Sequence, residues 1–242
     1  MAGPKMGQPG RLADVARAGP IQEHLRRLVS PAAFPVRAEG TVPWWAVFSG
    51  GLAPVLLIGA WFAADAVQPA SYSPIRQTIS ALAGDGGTDR WIMTGTLFLV
   101  GGCYLVTAAG LAGVRASART LLAVSGLSTI GIAASPEPAS GPTPQHLAWA
   151  VLGAVSIAVW PAFAARRLPP RPLVLSGYGS AAVTVVFLAL LGWLFIETQG
   201  GGDLGLAERL TTSAQACWPF VVALALRRGT SGVGGKNRPA GG

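Results

Sequence analysis

Six long apolar runs, separated by short polar connections, constrain this chain more than any other feature. They cover about residues 45–65, 91–111, 120–135, 147–165, 173–196 and 206–226. A helix needs about 20 apolar residues to cross the hydrocarbon core of a bilayer, and each run approaches or reaches that length. Only 12% of the residues are charged, whereas soluble domains carry about 25%. The sequence therefore predicts an all-α, polytopic membrane bundle of six transmembrane helices.

The distribution of basic residues predicts which way this bundle faces. Of the 18 Lys and Arg residues, all but Arg76, Arg90 and Arg209 lie in the two tails or in the connections after the second and fourth runs. Positive charge favours the cytoplasmic side, so a multi-pass protein of the cell membrane with both termini in the cytoplasm is predicted. The net charge of +8 is spread over loops and tails without a recognition motif. We therefore expect membrane lipids as partners and no nucleic acid, while the oligomeric state stays open.

Both ends of the chain read as extensions of the bundle. Residues 1–43 form a basic tail, in which residues 21–29 place apolar side chains on one face and arginines near the other. This segment is either an amphipathic helix on the inner leaflet or part of a disordered tail. The Gly-rich segment 229–242 predicts a disordered cytoplasmic tail.

The first connection, SYSPIRQTISALAGDGGTDRW at 71–91, contains a helix signal of its own. Ser73 is a suitable N-cap, Pro74 suits the first helical position, and Gly84 offers a stop. Apolar residues recur between them at helical spacing, namely Ile75, Ile79 and Leu82. The pattern predicts a short outer interfacial helix between spans 1 and 2.

Polar residues from separate connections on the predicted outer side suggest a pocket there. Its candidate members are Asp65, Tyr72, Ser73, Arg76, Gln77, Ser80, Arg90 and His146. Such a pocket would receive a lipid headgroup, an envelope component or a partner protein. The acidic residues of this side also allow a small cluster in which Arg90 or Arg209 pairs with a carboxylate. The alternative, which the sequence favours, is a structural rim of solvated loop charges.

The same residues allow a catalytic interpretation, although the sequence favours a non-catalytic protein. A lipid or ester hydrolase would use Ser71 or Ser73 as nucleophile, His146 as base and Asp65 to orient it. Neither serine lies in a G-x-S-x-G elbow. A zinc site needs about three protein ligands, and the spacing of His146, Asp65 and Glu197 gives it no support. We therefore predict no catalytic residues, no cofactor and no metal.

A transporter is the third function class. Ionisable residues near the bilayer midplane usually mark a proton or ion pathway, because a charge there is costly. In this chain the candidates lie near the ends of the apolar runs instead: Asp65, Arg90, His146, Glu197, Glu208 and Arg209. Transport is therefore less favoured than binding.

Two stretches resemble a known family of bacterial and archaeal membrane proteins, the domain of unknown function 998. They are YSPIRQTISALAGDGGTDRWIMTGTLFLVGG at 72–102 and GIAASPEPASGPTPQHLAWAVLG at 131–153. The resemblance covers about residues 44–228. It implies a six-helix integral membrane protein without an assigned reaction, so it carries over no catalytic residue. It also marks as characteristic positions Ser73, Pro74, Ser80, Asp85, Trp91, Pro136 and His146.

Overall fold

The computed structural model describes residues 42–165 and 173–231, and these residues form helices without any strand. The long helices are α1 (Trp44–Ala66), α3 (Trp91–Gly110), α4 (Ala116–Ala134), α5 (Pro144–Ala164), α6 (Gly177–Glu197) and α7 (Leu204–Ser231). A short helix, α2 (Ile79–Ala83), follows α1, and a 3₁₀ turn, Leu173–Leu175, precedes α6. The all-α prediction is confirmed. The amphipathic candidate at 21–29 and the tail beyond 231 lie outside the described residues.

Five of the described helices, α1 and α3 to α6, are long and apolar enough to cross a membrane. This is the pattern of a multi-pass membrane protein. Helix α7 is the longest, at 28 residues, but it is less apolar than the others. Three of its polar side chains, those of Arg209, Thr211 and Gln215, are buried inside the protein. The polarity of α7 therefore lies largely on the face that packs against its neighbours.

The six long helices close into a ring in which each packs against its neighbours in chain order, and α7 returns to α1. Small residues allow the close approaches. A Cβ atom added to Gly101 of α3 would lie 2.6 Å from the carbonyl oxygen of Gly126 in α4, and the reverse distance is 2.8 Å. A buried hydrogen bond of 2.8 Å between the hydroxyls of Ser49 and Thr107 links α1 to α3.

The helix ends differ from the apolar runs where polar caps extend them. Helix α5 begins at Pro144, three residues before its predicted start, because Thr143 accepts a hydrogen bond from the backbone N–H of His146. Helix α4 begins at Ala116 instead of residue 120. Its first turn contains Arg119, which donates hydrogen bonds to the carbonyls of Ala108 and Ala109 at the end of α3. Apolar periodicity does not predict this first turn of α4, because its polar side chain binds the end of a neighbouring helix.

The prediction for the first connection is wrong in its boundaries. Ser73 does not cap a helix; residues 74–77 form turns, and α2 starts only at Ile79. Thr78 is the cap, and its hydroxyl accepts a hydrogen bond of 2.9 Å from the N–H of Ala81. In a helix starting at Pro74, the carbonyl of Gln77 would accept the hydrogen bond from Ala81. That carbonyl instead binds a side chain from another helix, which keeps the segment non-helical.

Candidate functional site

The connections that follow α1, α4 and α6 meet at one end of the ring. We call this end the cap and define it as residues 65–90, 135–146 and 197–209. Asp65 at the end of α1 contacts Arg209 near the start of α7. The backbone N–H of Asp85 donates a hydrogen bond of 2.8 Å to the carbonyl of Glu137. Most of the polar residues singled out in the sequence lie in this cap.

The start of α7 lies directly against the first connection. A Cβ atom on Gly205 would lie 2.2 Å from the carbonyl oxygen of Gln77 and 2.5 Å from that of Pro74, so only glycine fits. One turn later, Arg209 is only 5% exposed. Its Nη1 donates to the carbonyls of Pro74 at 2.8 Å, Gln77 at 2.7 Å and Gly205 at 3.1 Å. A single guanidinium group therefore fixes two points of a loop about 130 residues earlier in the chain.

The second terminal nitrogen of Arg209 completes a three-residue cluster. Nη2 lies 2.8 Å from Oδ1 of Asp65 and also donates to the hydroxyl of Tyr72. The Tyr72 hydroxyl in turn donates to the same carboxylate oxygen at 2.6 Å. Burial and the hydrogen bond to Asp65 raise the pKa of Tyr72 above its ordinary value, so the phenol keeps its proton. The buried cation is thus neutralised by one carboxylate, which a buried charge requires.

An aromatic ring lies next to this cluster. The guanidinium carbon of Arg209 is 5.4 Å from the ring centroid of Trp61, within the range of a cation–π contact. Nε of Arg209 and Nε1 of Trp61 are both buried, and neither has a hydrogen-bond partner among the described residues. The cluster therefore keeps two unpaired donors.

The residue before Arg209 holds the next part of the same connection. The carboxylate of Glu208 accepts a hydrogen bond of 2.5 Å from the backbone N–H of Ile79 and one of 3.2 Å from the hydroxyl of Ser80. Both donors lie in the first turn of α2, where a carboxylate is electrostatically favourable. Glu208 and Arg209 together hold the connection from residue 74 to residue 80.

The connection between α4 and α5 packs on the far end of α2. A Cβ atom on Gly84 would lie 2.4 Å from the carbonyl oxygen of Glu137, so glycine permits this approach. His146 is buried, and its Nδ1 lies 2.8 Å from the carbonyl oxygen of Ser135. Burial raises the pKa of the Glu137 carboxyl above its ordinary value, and the nearby His146 partly offsets this effect. This half of the cap contains a half-buried carboxyl beside a buried imidazole.

Arg90 belongs to a separate, more exposed contact. Its guanidinium pairs with Asp85 at 2.5 Å and lies 4.7 Å from the ring centroid of Trp91. The Asp85 side chain is 55% exposed, so solvent screens the pair and its contribution to stability is small. Arg90 thus lies at the edge of the cap.

The eight candidate pocket residues are therefore divided among several contacts. Asp65 and Tyr72 converge on Arg209, whereas Ser80 binds Glu208. The backbone N–H of Ser73 donates to the side-chain oxygen of Gln77 at 3.1 Å. Arg76 and Gln77 are both exposed.

Two residues at the centre of the cap, Glu208 and Arg209, are not among the eight candidate pocket residues, although the sequence allows Arg209 to pair with a carboxylate, as it does with Asp65. Their signal in the sequence is a pair of opposite charges at the start of an otherwise apolar run. Placing two charges in an apolar environment costs free energy, so such a pair indicates that both side chains have polar partners.

These contacts bear on the catalytic alternative. Asp65 accepts hydrogen bonds from Arg209 and Tyr72, whereas Nδ1 of His146 is within hydrogen-bond distance of the carbonyl oxygen of Ser135. No hydrogen bond joins these two residues to each other or to Ser73 in the part of the chain that the structure describes. Within residues 42–165 and 173–231, no group of three His, Cys, Asp or Glu side chains is arranged to hold a metal ion. The contacts among the described residues of the cap are hydrogen bonds and charge pairs.

Comparison with known proteins gives one match. No curated protein and no solved structure matches the chain. A family model described as "Protein of unknown function (DUF998)" matches residues 51–225, from the first turns of α1 to the last turns of α7. This range includes every residue of the cap and most of the chain. The chain therefore belongs to the DUF998 family.

Proposed function

We propose that the protein is a non-catalytic, six-span protein of the cell membrane whose outer cap binds an anionic group of an envelope lipid. In this proposal both termini are cytoplasmic and α7 is the sixth span. The proposal combines the distribution of basic residues with the way in which the cap holds its first connection.

The packing of α7 supports its role as a span. It lies between α1 and α6 and closes the ring. Its length of 28 residues corresponds to about 42 Å at 1.5 Å per residue, which exceeds the roughly 30 Å hydrocarbon core. Its buried polar side chains face protein and not lipid, so its lower hydropathy is compatible with a membrane setting.

The single observation that carries the binding proposal is that Arg209 donates hydrogen bonds to the carbonyls of Pro74 and Gln77. These two carbonyls flank Ile75 and Arg76, both of which are exposed. Because these hydrogen bonds already fix the backbone of the loop, the loop loses little conformational entropy when it binds a ligand, which favours affinity. Arg76 is exposed and forms no hydrogen bond or ion pair with another described residue, so its donors are available to a ligand.

The pairing of an apolar and a cationic side chain favours a lipid over a soluble anion. Ile75 is 49% exposed and directly precedes Arg76, so the two side chains offer apolar surface beside a phosphate-binding guanidinium. Trp91, at the start of α3, is 69% exposed and belongs to a residue type that prefers the membrane interface. These features suit a loop that lies at the level of lipid headgroups.

A photocrosslinking experiment tests the proposal. A benzophenone amino acid replaces Gln77 in the full chain, irradiation is carried out in native membranes, and adducts are identified by mass spectrometry. We expect a lipid adduct that Arg76→Ala strongly reduces and Arg76→Lys retains. The matched control places the same label at Gln199, an exposed glutamine of the connection before α7, where that adduct should be absent.

Two results would contradict the binding proposal. One is an adduct pattern at position 77 that is the same with Arg76→Ala. The other is equal labelling at positions 77 and 199, which would indicate unselective contact with bulk lipid. The non-catalytic part has its own test, since a serine-directed fluorophosphonate probe should leave the purified protein unlabelled. Labelling that Ser73→Ala abolishes would instead support the hydrolase.

A further inference from the structure

An apolar groove runs along the outside of the bundle between α1 and α7, at the end opposite the cap. Its volume is about 470 Å³, within the range of small-molecule sites. Three exposed side chains of α1 and three side chains of α7 line most of it: Trp44, Phe48, Val55, Phe220, Leu224 and Arg227. The groove thus has apolar walls and one cationic residue.

The missing side chain of Gly51 lets α7 approach α1 closely within this groove. Gly51 lies on the same face as Phe48 and Val55, and a Cβ atom there would lie 3.0 Å from the ring of Phe220. The neighbouring Gly50 approaches the backbone of Phe220 to 3.3 Å on the same measure. The aromatic ring of Phe220 therefore forms the floor where the two helices are closest.

The dimensions of the groove match those of one bilayer leaflet. On α1 its lining runs from Trp44 to Val55, which corresponds to about 16 Å at 1.5 Å per residue. Half of a hydrocarbon core of about 30 Å is similar. An acyl chain of one leaflet can therefore lie along the whole groove.

The charge lies at the end where a headgroup would be. Helices α1 and α7 are antiparallel, since Asp65 meets Arg209 at the cap while Gly50 meets Phe220 further along. Arg227 is therefore at the same end as Trp44, near the start of α1. Arg228 is the next residue, and both arginines are exposed. Cations next to an apolar groove complement the phosphate of an anionic lipid.

We propose that this groove is a binding site for an anionic phospholipid, with one acyl chain between α1 and α7 and its phosphate at Arg227. The site is distinct from the cap and does not depend on the function proposed for it. In the proposed topology it opens to the cytoplasmic leaflet, where the tails are strongly basic.

Competition between two lipids tests the proposal. The full chain is purified, delipidated in detergent and incubated with equimolar phosphatidylglycerol and phosphatidylcholine of identical acyl chains, and retained lipids are counted by native mass spectrometry. We expect preferential retention of phosphatidylglycerol. Arg227→Gln should reduce the preference about fivefold, the effect of one cation near an anionic lipid, whereas Arg227→Lys should keep it.

Matched variants separate the groove from general effects of charge and bulk. Arg115→Gln removes an exposed cation outside the groove and should leave the preference unchanged. Val55→Trp fills the groove and should reduce retention of both lipids. Val185→Trp adds the same bulk on α6, where Val185 is 65% exposed against 67% for Val55, and should have no effect.

Specific outcomes would overturn the proposal. Equal retention of the two lipids by the wild-type protein excludes selectivity for the anionic headgroup. An equal loss of preference in Arg227→Gln and Arg115→Gln assigns the effect to net charge alone. Unchanged retention in Val55→Trp excludes the groove as the site. The melting temperature of each variant shows whether a loss follows from unfolding, and Arg227→Lys then decides the role of the charge.

Discussion

Asp65 and Arg209, 144 residues apart in the chain, form an ion pair of 2.8 Å inside the cap, in which the arginine side chain is 5% exposed and the carboxylate 16%. This pair joins the first long helix to the last. Because Arg209 also binds three backbone carbonyls, its replacement affects more than one charge.

We predict that Arg209→Gln lowers the free energy of unfolding by about 3–5 kcal/mol, because it leaves Asp65 buried without its cation. Equilibrium unfolding in mixed detergent micelles measures the change. Arg76→Gln is the control, since it removes an exposed arginine of the same cap and should change stability by less than about 0.5 kcal/mol. Similar losses in both variants would show that the buried pair has no special weight.

Two adjacent glycines of α3 should respond differently to alanine. Gly101→Ala places a methyl group 2.6 Å from the carbonyl oxygen of Gly126, which forces α3 and α4 apart. We expect a loss of about 1–3 kcal/mol, the range for overpacking. Gly102 has no atom within 4 Å of its Cβ position, so Gly102→Ala should be neutral or slightly stabilising. Equal effects in thermal unfolding would contradict the close helix crossing.

The half-buried carboxyl of Glu137 should make stability depend on pH. Its pKa is raised in the folded state by burial, so the folded protein binds this proton more tightly than the unfolded chain does. The contribution is present below the ordinary glutamate pKa of about 4.3 and is lost as pH rises through the raised pKa. We therefore predict that Glu137→Gln becomes more stable relative to the wild type as pH rises through this window.

Unfolding midpoints measured across this pH range check the prediction. His146 and Glu208 both interact electrostatically with Glu137, so both are kept unchanged in the comparison. Asp203→Asn removes an exposed carboxyl of the same cap and serves as control. Parallel profiles for the wild type and Glu137→Gln would show that this carboxyl does not contribute.

The proposed topology predicts which connections are accessible from outside the cell. In a background without the two native cysteines, Cys103 and Cys217, single cysteines at Ser140 and Gly202, which are both exposed, should react with a membrane-impermeant maleimide in intact cells. A cysteine at Gly113, in the connection after α3, should react only after lysis. A reporter fused to the C-terminus should be active in the cytoplasm. An external C-terminus would remove α7 from the spans.

The helices could be predicted from the sequence to the extent that burial follows hydropathy. The runs for α1 and α3 agree with the structure within a residue at each end, because apolar side chains continue to both ends. Helix α7 agrees less well, since it extends from Leu204 to Ser231 while the apolar run covers about 206–226. Its second turn contains Glu208 and Arg209, which bind the first connection, a role that no periodicity within α7 encodes.

The cap could be predicted in its composition but not in its pairing. The sequence shows a serine–proline pair and assigns the helix start to it, whereas the structure uses Thr78. Local rules favour Ser73 because they take no account of Arg209, whose hydrogen bonds occupy the carbonyls that a helix would use. Those contacts exist only after the ring closes. Local preference is therefore overridden by a partner distant in sequence.

The hydrogen bonds that Arg209 donates to the first connection also imply an order of assembly during synthesis. The ribosome completes α1 and residues 74–77 long before it makes α7, so these carbonyls and the Asp65 carboxylate must await their cation. Until then the Asp65 carboxylate of the nascent chain has no cationic partner, and the loop at residues 74–77 lacks the hydrogen bonds that hold it. We expect folding to be completed only when α7 has been made, so that chains truncated before residue 204 are degraded by membrane proteases.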